Sequence, residues 1–239
     1  MTDNSNTRTT SPEKRLQQVQ SQIARALALS HRAADATQLL AVSKTRSAAE
    51  VLELYHLGQH RFGENYLQEA LEKIEALADY PIEWHFIGPI QSNKTRDIAT
   101  RFDWVHSVER VKIARRLSEQ RPAQRAPLNI CLQVNVSNEA SKSGCSLDEL
   151  PQLAAEVTAL PNVKLRGLMA IPAPSGDPEQ QRIPFRLLRE ALEQLNRSGL
   201  KLDTLSMGMT DDLGSAIAEG ATIVRIGTAL FGPRESMGQ

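Results

Sequence analysis

The chain has 239 residues, 41% of them hydrophobic and 23% charged, the make-up of a globular protein that can bury a substantial core. Lys+Arg and Asp+Glu balance at 28 each, which argues against a general polyanion binder and gives no reason to expect a nucleic-acid partner. No apolar run approaches the ~20 residues needed to span a bilayer, the polar start Met1–Thr10 lacks the core of a secretory signal, and two cysteines make no disulfide framework, so a cytoplasmic location without membrane attachment is expected.

Residues 1–10 read as a disordered tail. Ser11-Pro12-Glu13 then offers an N-cap, a first-turn proline and a first-turn acid, and Leu16, Val19, Ile23 and Leu27 follow at helical spacing, so an amphipathic helix is expected over 12–30. From there a unit of strand, loop and helix recurs. Strands are expected at 38–43, 61–63, 82–87, 104–106, 128–136, 163–171, 202–207 and 222–226. Capping boxes at Ser47/Glu50 and Ser146/Glu149 open the helices after the first and fifth strands. Eight such units without a composition break point to an α/β chain with a single (β/α)8 barrel domain over 11–235, a doubly wound open sheet being the competing architecture.

A barrel gathers every strand-to-helix loop on one face, so their residues can be read together. Lys44 ends the first apolar run (Leu39 to Ser43); an amine held there and partly desolvated can attack a carbonyl to form a Schiff base, while the bland alternative is a solubilising lysine. Asn65 follows the second strand as a polar side chain suited to a ligand contact. His85 sits between Trp84 and Phe86, which favours a buried role, a satisfied core histidine being the simplest. The loops after strands seven and eight contain Ser206, Gly208, Gly227 and Thr228, where barrels often bind phosphate with backbone N–H groups and hydroxyls. Arg225 lies inside the apolar strand Ile223–Ile226 and must either reach the rim or meet an acceptor within the site. His56 and His60 have i, i+4 spacing, but Gly58 falls between them and no HExxH pattern exists, so no metal site is expected. Neither a nucleotide fingerprint nor a G-x-S-x-G elbow is present.

A reactive lysine, a phosphate site and an interior arginine on one face describe a pyridoxal phosphate pocket. The segments AVSKTR (41–46), FGENYLQE (62–69), WHFIGPIQSNK (84–94), VNVSNEASKSG (135–144), RGLMAIP (166–172), SMGMTDD (206–212) and RIGTALFG (225–232) resemble the pyridoxal phosphate homeostasis protein family, the single-domain relative of the alanine racemase barrel. The resemblance covers about 30 to 235, leaving 173–184 unmatched. It implies a Schiff base between Lys44 and pyridoxal 5'-phosphate, a phosphate held at Ser206, Gly227 and Thr228, Arg225 facing the pyridine nitrogen, and Asn65 and His85 lining the pocket. It further implies a carrier or regulator of the vitamin B6 pool without an established reaction, serving pyridoxal phosphate-dependent apo-enzymes, and a monomer is expected.

An arginine against the pyridine nitrogen leaves it unprotonated and weakens the electron sink that cofactor catalysis draws on. With the sequence ending close behind its last barrel motif, no second domain is expected to supply the opposing proton donor of a two-base racemase. An amino-acid racemase of narrow specificity is the alternative, and a Schiff-base aldolase acting on a sugar phosphate, colourless for want of the cofactor, is a third reading.

Overall fold

The computed structural model describes residues 10–137 and 143–233. The tail expected over 1–10 therefore lies outside the described residues except for Thr10, as do residues 138–142 and the expected domain limit at 235. Eight parallel strands close into a barrel in chain order, which excludes the open sheet. They are β1 (Gln38–Val42), β2 (Arg61–Glu64), β3 (Glu83–Phe86), β4 (Trp104–Val108), β5 (Leu128–Gln133), β6 (Val163–Met169), β7 (Thr204–Ser206) and β8 (Ile223–Ile226). Helices α2 (Ala48–His56), α3 (Leu67–Ala76), α4 (Thr95–Arg101), α5 (Val111–Gln120), α6 (Leu150–Thr158), α7 (Pro178–Arg197), α8 (Leu213–Ala218) and α9 (Thr228–Phe231) follow the strands, and α1 (Pro12–Leu29) precedes them.

Local chemistry sets the helix starts. The Ser11 hydroxyl accepts from the Lys14 N–H to cap α1, whose Leu16, Val19, Ile23 and Leu27 form its buried stripe. Ser47 and Glu50 make both reciprocal bonds of a capping box at α2. Ser146 and Glu149 make the same pair of bonds, yet the regular helix begins only at Leu150. Helix α1 packs on α8, α9 and α2. Arg15 Nε donates to the Leu230 carbonyl at 2.6 Å and Arg32 Nη1 to the Ile217 and Ala221 carbonyls at 2.8 and 2.9 Å, which staples the first helix over the β8–β1 seam.

Strand alternation divides the apolar residues between two environments. Ala41, Phe62, Trp84, Val105, Ile130, Leu168, Leu205 and Val224 face the helices in one continuous core. Their inward neighbours form two smaller clusters, Leu40, Val42, Ile87 and Ile223 on one side and Trp104, Cys131 and Met169 on the other. Polar side chains share the interior with them: His85, His106, Ser206 and Arg225 are all buried.

At the β6–β7 pairing a Cβ on Gly167 would lie 1.8 Å from the Thr204 carbonyl oxygen, so the strands can meet only with glycine there. Gly167→Ala should lower the unfolding free energy by at least ~2 kcal/mol, in the range of overpacked cores; an unchanged urea midpoint would show that the seam yields. Both cysteines are buried, and burial pushes their thiols up, to about 12 for Cys131 and about 11 for Cys145. A thiol-reactive chromophore should therefore label neither in the native protein and both after unfolding.

Candidate functional site

Lys44 stands two residues past the end of β1, half-buried, on the face where the strands end. Its turn is strained: Thr45, a β-branched residue, has φ of +62°. Backbone on both sides of the lysine is gripped from the helical layer. Lys73, buried on α3, donates from Nζ to the Ser43 carbonyl at 2.6 Å and to the carboxylates of Glu64 at 2.7 Å and Glu69 at 2.6 Å. Glu69 in turn accepts the Thr45 N–H at 2.6 Å, and the Ser43 hydroxyl donates to Glu64 at 2.6 Å. The carbonyl before Lys44 and the amide after it are thus fixed by one ionic cluster, buried at Lys73 and Glu64 and half-buried at Glu69, which offsets the cost of the left-handed turn. Burial raises the Glu64 carboxyl above its ordinary range, against the opposing pull of Lys73 and Ser43. Arg46 continues the fastening, pairing with Glu50 at 3.3 Å and lying over the Phe231 ring, 5.5 Å from its centroid.

Arg225 comes up the adjacent strand, opposite Leu40 of β1, and is only 5% exposed. It does not reach the rim. Nη1 donates to Ser206 Oγ at 2.8 Å and Nη2 to the Ala170 carbonyl at 2.9 Å. Burial pulls its pKa down to about 10, with Asp212 opposing, so it remains charged at neutral pH. Two of its five N–H donors are thereby used, and the rest are without a protein acceptor among the described residues. The loop after β7 folds over it: Gly208 at φ +96° gives its carbonyl to the Arg225 N–H at 2.9 Å, and Asp212 Oδ1 accepts the Met209 N–H at 2.6 Å.

Gly227 and Thr228 open α9 directly above Arg225, where the first N–H groups of a helical turn find no partner within the turn. A Cβ on Gly227 would lie 3.2 Å from the Val42 carbonyl oxygen, so glycine permits this close approach to β1. Asn65 follows β2, and its buried Oδ1 has no hydrogen-bond partner among the described residues. It lines a hollow of about 200 Å³ with Ile87, Ser107, Glu109 and Gln133. A larger hollow of about 470 Å³, lined by Gln133, Ile171, Pro172, Met209 and Asp212, opens beside it on the same face. Lys44 and Arg225 line neither; they occupy the β8–β1 side.

Two of the expected site residues are engaged inside the barrel. His85 is a fully buried interior residue, stacked on Trp104 at a centroid distance of 5.4 Å, with hydrogen bonds to His106 at 2.8 Å and Glu83 at 2.9 Å. It lines neither of the two hollows on the strand-end face; alternation along β3 turns it inward, and the register sets it level with Trp104. Ser206 is likewise buried, and its hydroxyl is engaged by Arg225 and His106. Sequence reasoning missed Glu64, Glu69, Lys73 and His106. The available signals were a lysine beside the apolar stripe of α3 and a histidine sharing the inward parity of Trp104.

The profile of the alanine racemase N-terminal domain matches residues 15–235. A pyridoxal phosphate homeostasis protein of Pseudomonas aeruginosa is 66% identical over 197 residues, 82% of this chain and 84% of the relative. Its counterpart in Escherichia coli K12 is 49% identical over 223 residues, 92% of this chain and 95% of the relative. The chain belongs to the pyridoxal phosphate homeostasis protein family. Within reach of that family, the structure of PipY from Synechococcus elongatus PCC7942 with PLP bound is 37% identical, with a TM-score of 0.77 over 88% of this chain and all of PipY (100%). Alanine racemase from Corynebacterium glutamicum shares the barrel alone: 17% identity and a TM-score of 0.65, covering 93% of this chain and 63% of the racemase.

The clamp on Lys44 is open to a stability test in this family member. Lys73→Met leaves Glu64 buried without its cation and should cost about 3–5 kcal/mol. Adding Glu64→Gln should recover part of that loss. Equal stability of the single and double variants, read from urea unfolding, would show that the two side chains do not act as a pair.

Proposed function

We propose that the chain binds pyridoxal 5'-phosphate through a Schiff base on Lys44 and acts in pyridoxal phosphate homeostasis, holding the cofactor and passing it to apo-enzymes. The observation that carries this reading is the immobilised turn that presents Lys44 at the end of β1, next to the strand that holds the buried Arg225, charged at neutral pH. The local groups fit the cofactor. The Lys44 amine stands just past the end of β1 and a guanidinium with spare donors stands on β8. Glycine at 227 keeps backbone N–H groups approachable for an anion, with the Thr228 hydroxyl next to them. Asn65 Oδ1 is an acceptor left for a ligand to satisfy. In this reading Lys44, Asn65, Arg225, Gly227 and Thr228 touch the cofactor, while Ser206 and His85 act from beneath Arg225. The relatives carry the name pyridoxal phosphate homeostasis protein, and PipY is known with PLP bound, which supports the assignment.

When bound, the cofactor supplies an aldehyde for an amine to condense with and a ring able to withdraw electron density. Arg225 works against the second capacity. A guanidinium, charged at neutral pH even at a pKa of about 10, keeps its proton and so does not protonate a ring nitrogen facing it. Lys44 retains its role as the point of covalent attachment. Holding is favoured over turnover. No helix among the described residues is long and apolar enough to cross a membrane.

The full chain incubated with pyridoxal 5'-phosphate should turn yellow, lose the band on borohydride reduction, and give a pyridoxyl group on Lys44 by peptide mapping. Lys44→Ala should remove the reducible band while leaving unfolding within about 1 kcal/mol of the parent. A colourless protein, or a label on another lysine, would overturn the attachment. Sustained racemisation of a single amino-acid enantiomer would overturn the carrier reading and leave attachment intact.

A further inference from the structure

A chain of side-chain hydrogen bonds runs through the barrel from the end where the strands begin to Arg225. Glu83 Oε1 lies 2.9 Å from His85 Nε2, His85 Nδ1 lies 2.8 Å from His106 Nε2, and His106 Nδ1 lies 2.7 Å from Ser206 Oγ, which accepts from Arg225 at 2.8 Å. Glu83 is the one partly exposed member, 40% accessible and paired with Arg61 at 3.1 Å. It lines a cleft of about 440 Å³ that also holds Arg166 and Asp203.

The two ends fix the direction of every bond. Arg225 can only donate, so Ser206 Oγ accepts there and its own hydrogen is free for the acceptor at His106 Nδ1. A neutral His106 then has its proton on Nε2 and donates to His85 Nδ1. His85 in turn has its proton on Nε2 and donates to the Glu83 carboxylate. The reverse order would set the bare Nε2 of His85 against a carboxylate oxygen, and repairing that contact requires either a charged imidazole in a fully buried site or a protonated Glu83 carboxyl beside the Arg61 guanidinium. Burial disfavours the charged form of both histidines, and Glu83 is held below the usual carboxylate range by His85 first.

We propose that Glu83, His85, His106 and Ser206 form a one-directional hydrogen-bond chain, anchored by the Glu83 carboxylate, that positions the Arg225 guanidinium, with His106 the central positioning residue. The chain commits the Ser206 oxygen to Arg225 and so leaves the unused guanidinium N–H groups in a fixed orientation. Its effect on cofactor binding rests on the pyridoxal phosphate reading above; its direction does not.

The two parts have separate tests. Long-range nitrogen–proton correlation spectra of the full chain without cofactor, at neutral pH, should show His85 and His106 as neutral rings protonated on Nε2. A proton on Nδ1 of either ring, or a doubly protonated ring, would overturn the chain whatever the protein binds. Titration with pyridoxal 5'-phosphate should show His106→Phe binding roughly tenfold more weakly, the scale of a hydrogen bond to a charged group. His106→Gln, which keeps one donor and one acceptor, should restore most of the affinity. A packing role predicts the opposite order, so Phe matching the parent while Gln does not would overturn the positioning role. Failure of the parent chain to bind the cofactor would sink the functional reading and leave the nitrogen–proton result standing.

Discussion

A guanidinium held inside a barrel is costly, and much of this interior is arranged around that cost. Arg225 cannot shed its proton at neutral pH and cannot reach the rim, so acceptors have to come to it. The Ala170 carbonyl meets it from the end of β6 and the Ser206 oxygen from β7. Ser206 accepts from Arg225 while its own hydrogen goes to His106, and His106, His85 and Glu83 continue the sequence of donors. Barrel interiors are usually filled by layers of branched apolar side chains. Here the apolar residues are split into two clusters on either side of the polar column.

Strand alternation keeps the supports of the two key cations apart. Arg225 and its partners point inward. The groups that hold the Lys44 turn, Ser43, Glu64, Glu69 and Lys73, lie outward between the strands and α3. Lys44 therefore emerges from a turn fixed on the helical side, while Arg225 is fixed on the axial side. The two sets share no residue, so each cation can be tuned without disturbing the other. Glycine at 227 permits the close contact between the backbones of β1 and α9 that brings the two regions side by side.

The repeating strand–helix units, the Ser11 cap of α1 and the Ser47/Glu50 box were legible because local chemistry decides them. Lys44 and Arg225 stood out for the same reason: a charge at the end of, or inside, an apolar strand demands an explanation. What could not be read was height along the barrel axis. Alternation tells which way His85 points, and it points inward, but only the register of β3 against β4 sets it level with Trp104, below the mouth. Ser206 shows a related gap. Its position after β7 was clear, whereas the partners of its hydroxyl come from β4 and β8, which no local pattern links. Lys73 was hidden by its type, since a lysine beside an apolar helical stripe ordinarily extends its head to solvent.

The seam between β1 and β8 also governs when the site can exist. Arg46 of the β1–α2 loop bonds the Gly232 carbonyl 186 residues away, and Leu40 faces Arg225 across the last strand pairing. Contacts of such sequence separation carry the largest loop-closure entropy, and barrel closure supplies them only when the eighth strand is in place. During synthesis the lysine emerges well before the arginine. A nascent or truncated chain would expose the amine without the guanidinium, so assembly of the two-cation site doubles as a check that the whole barrel has closed.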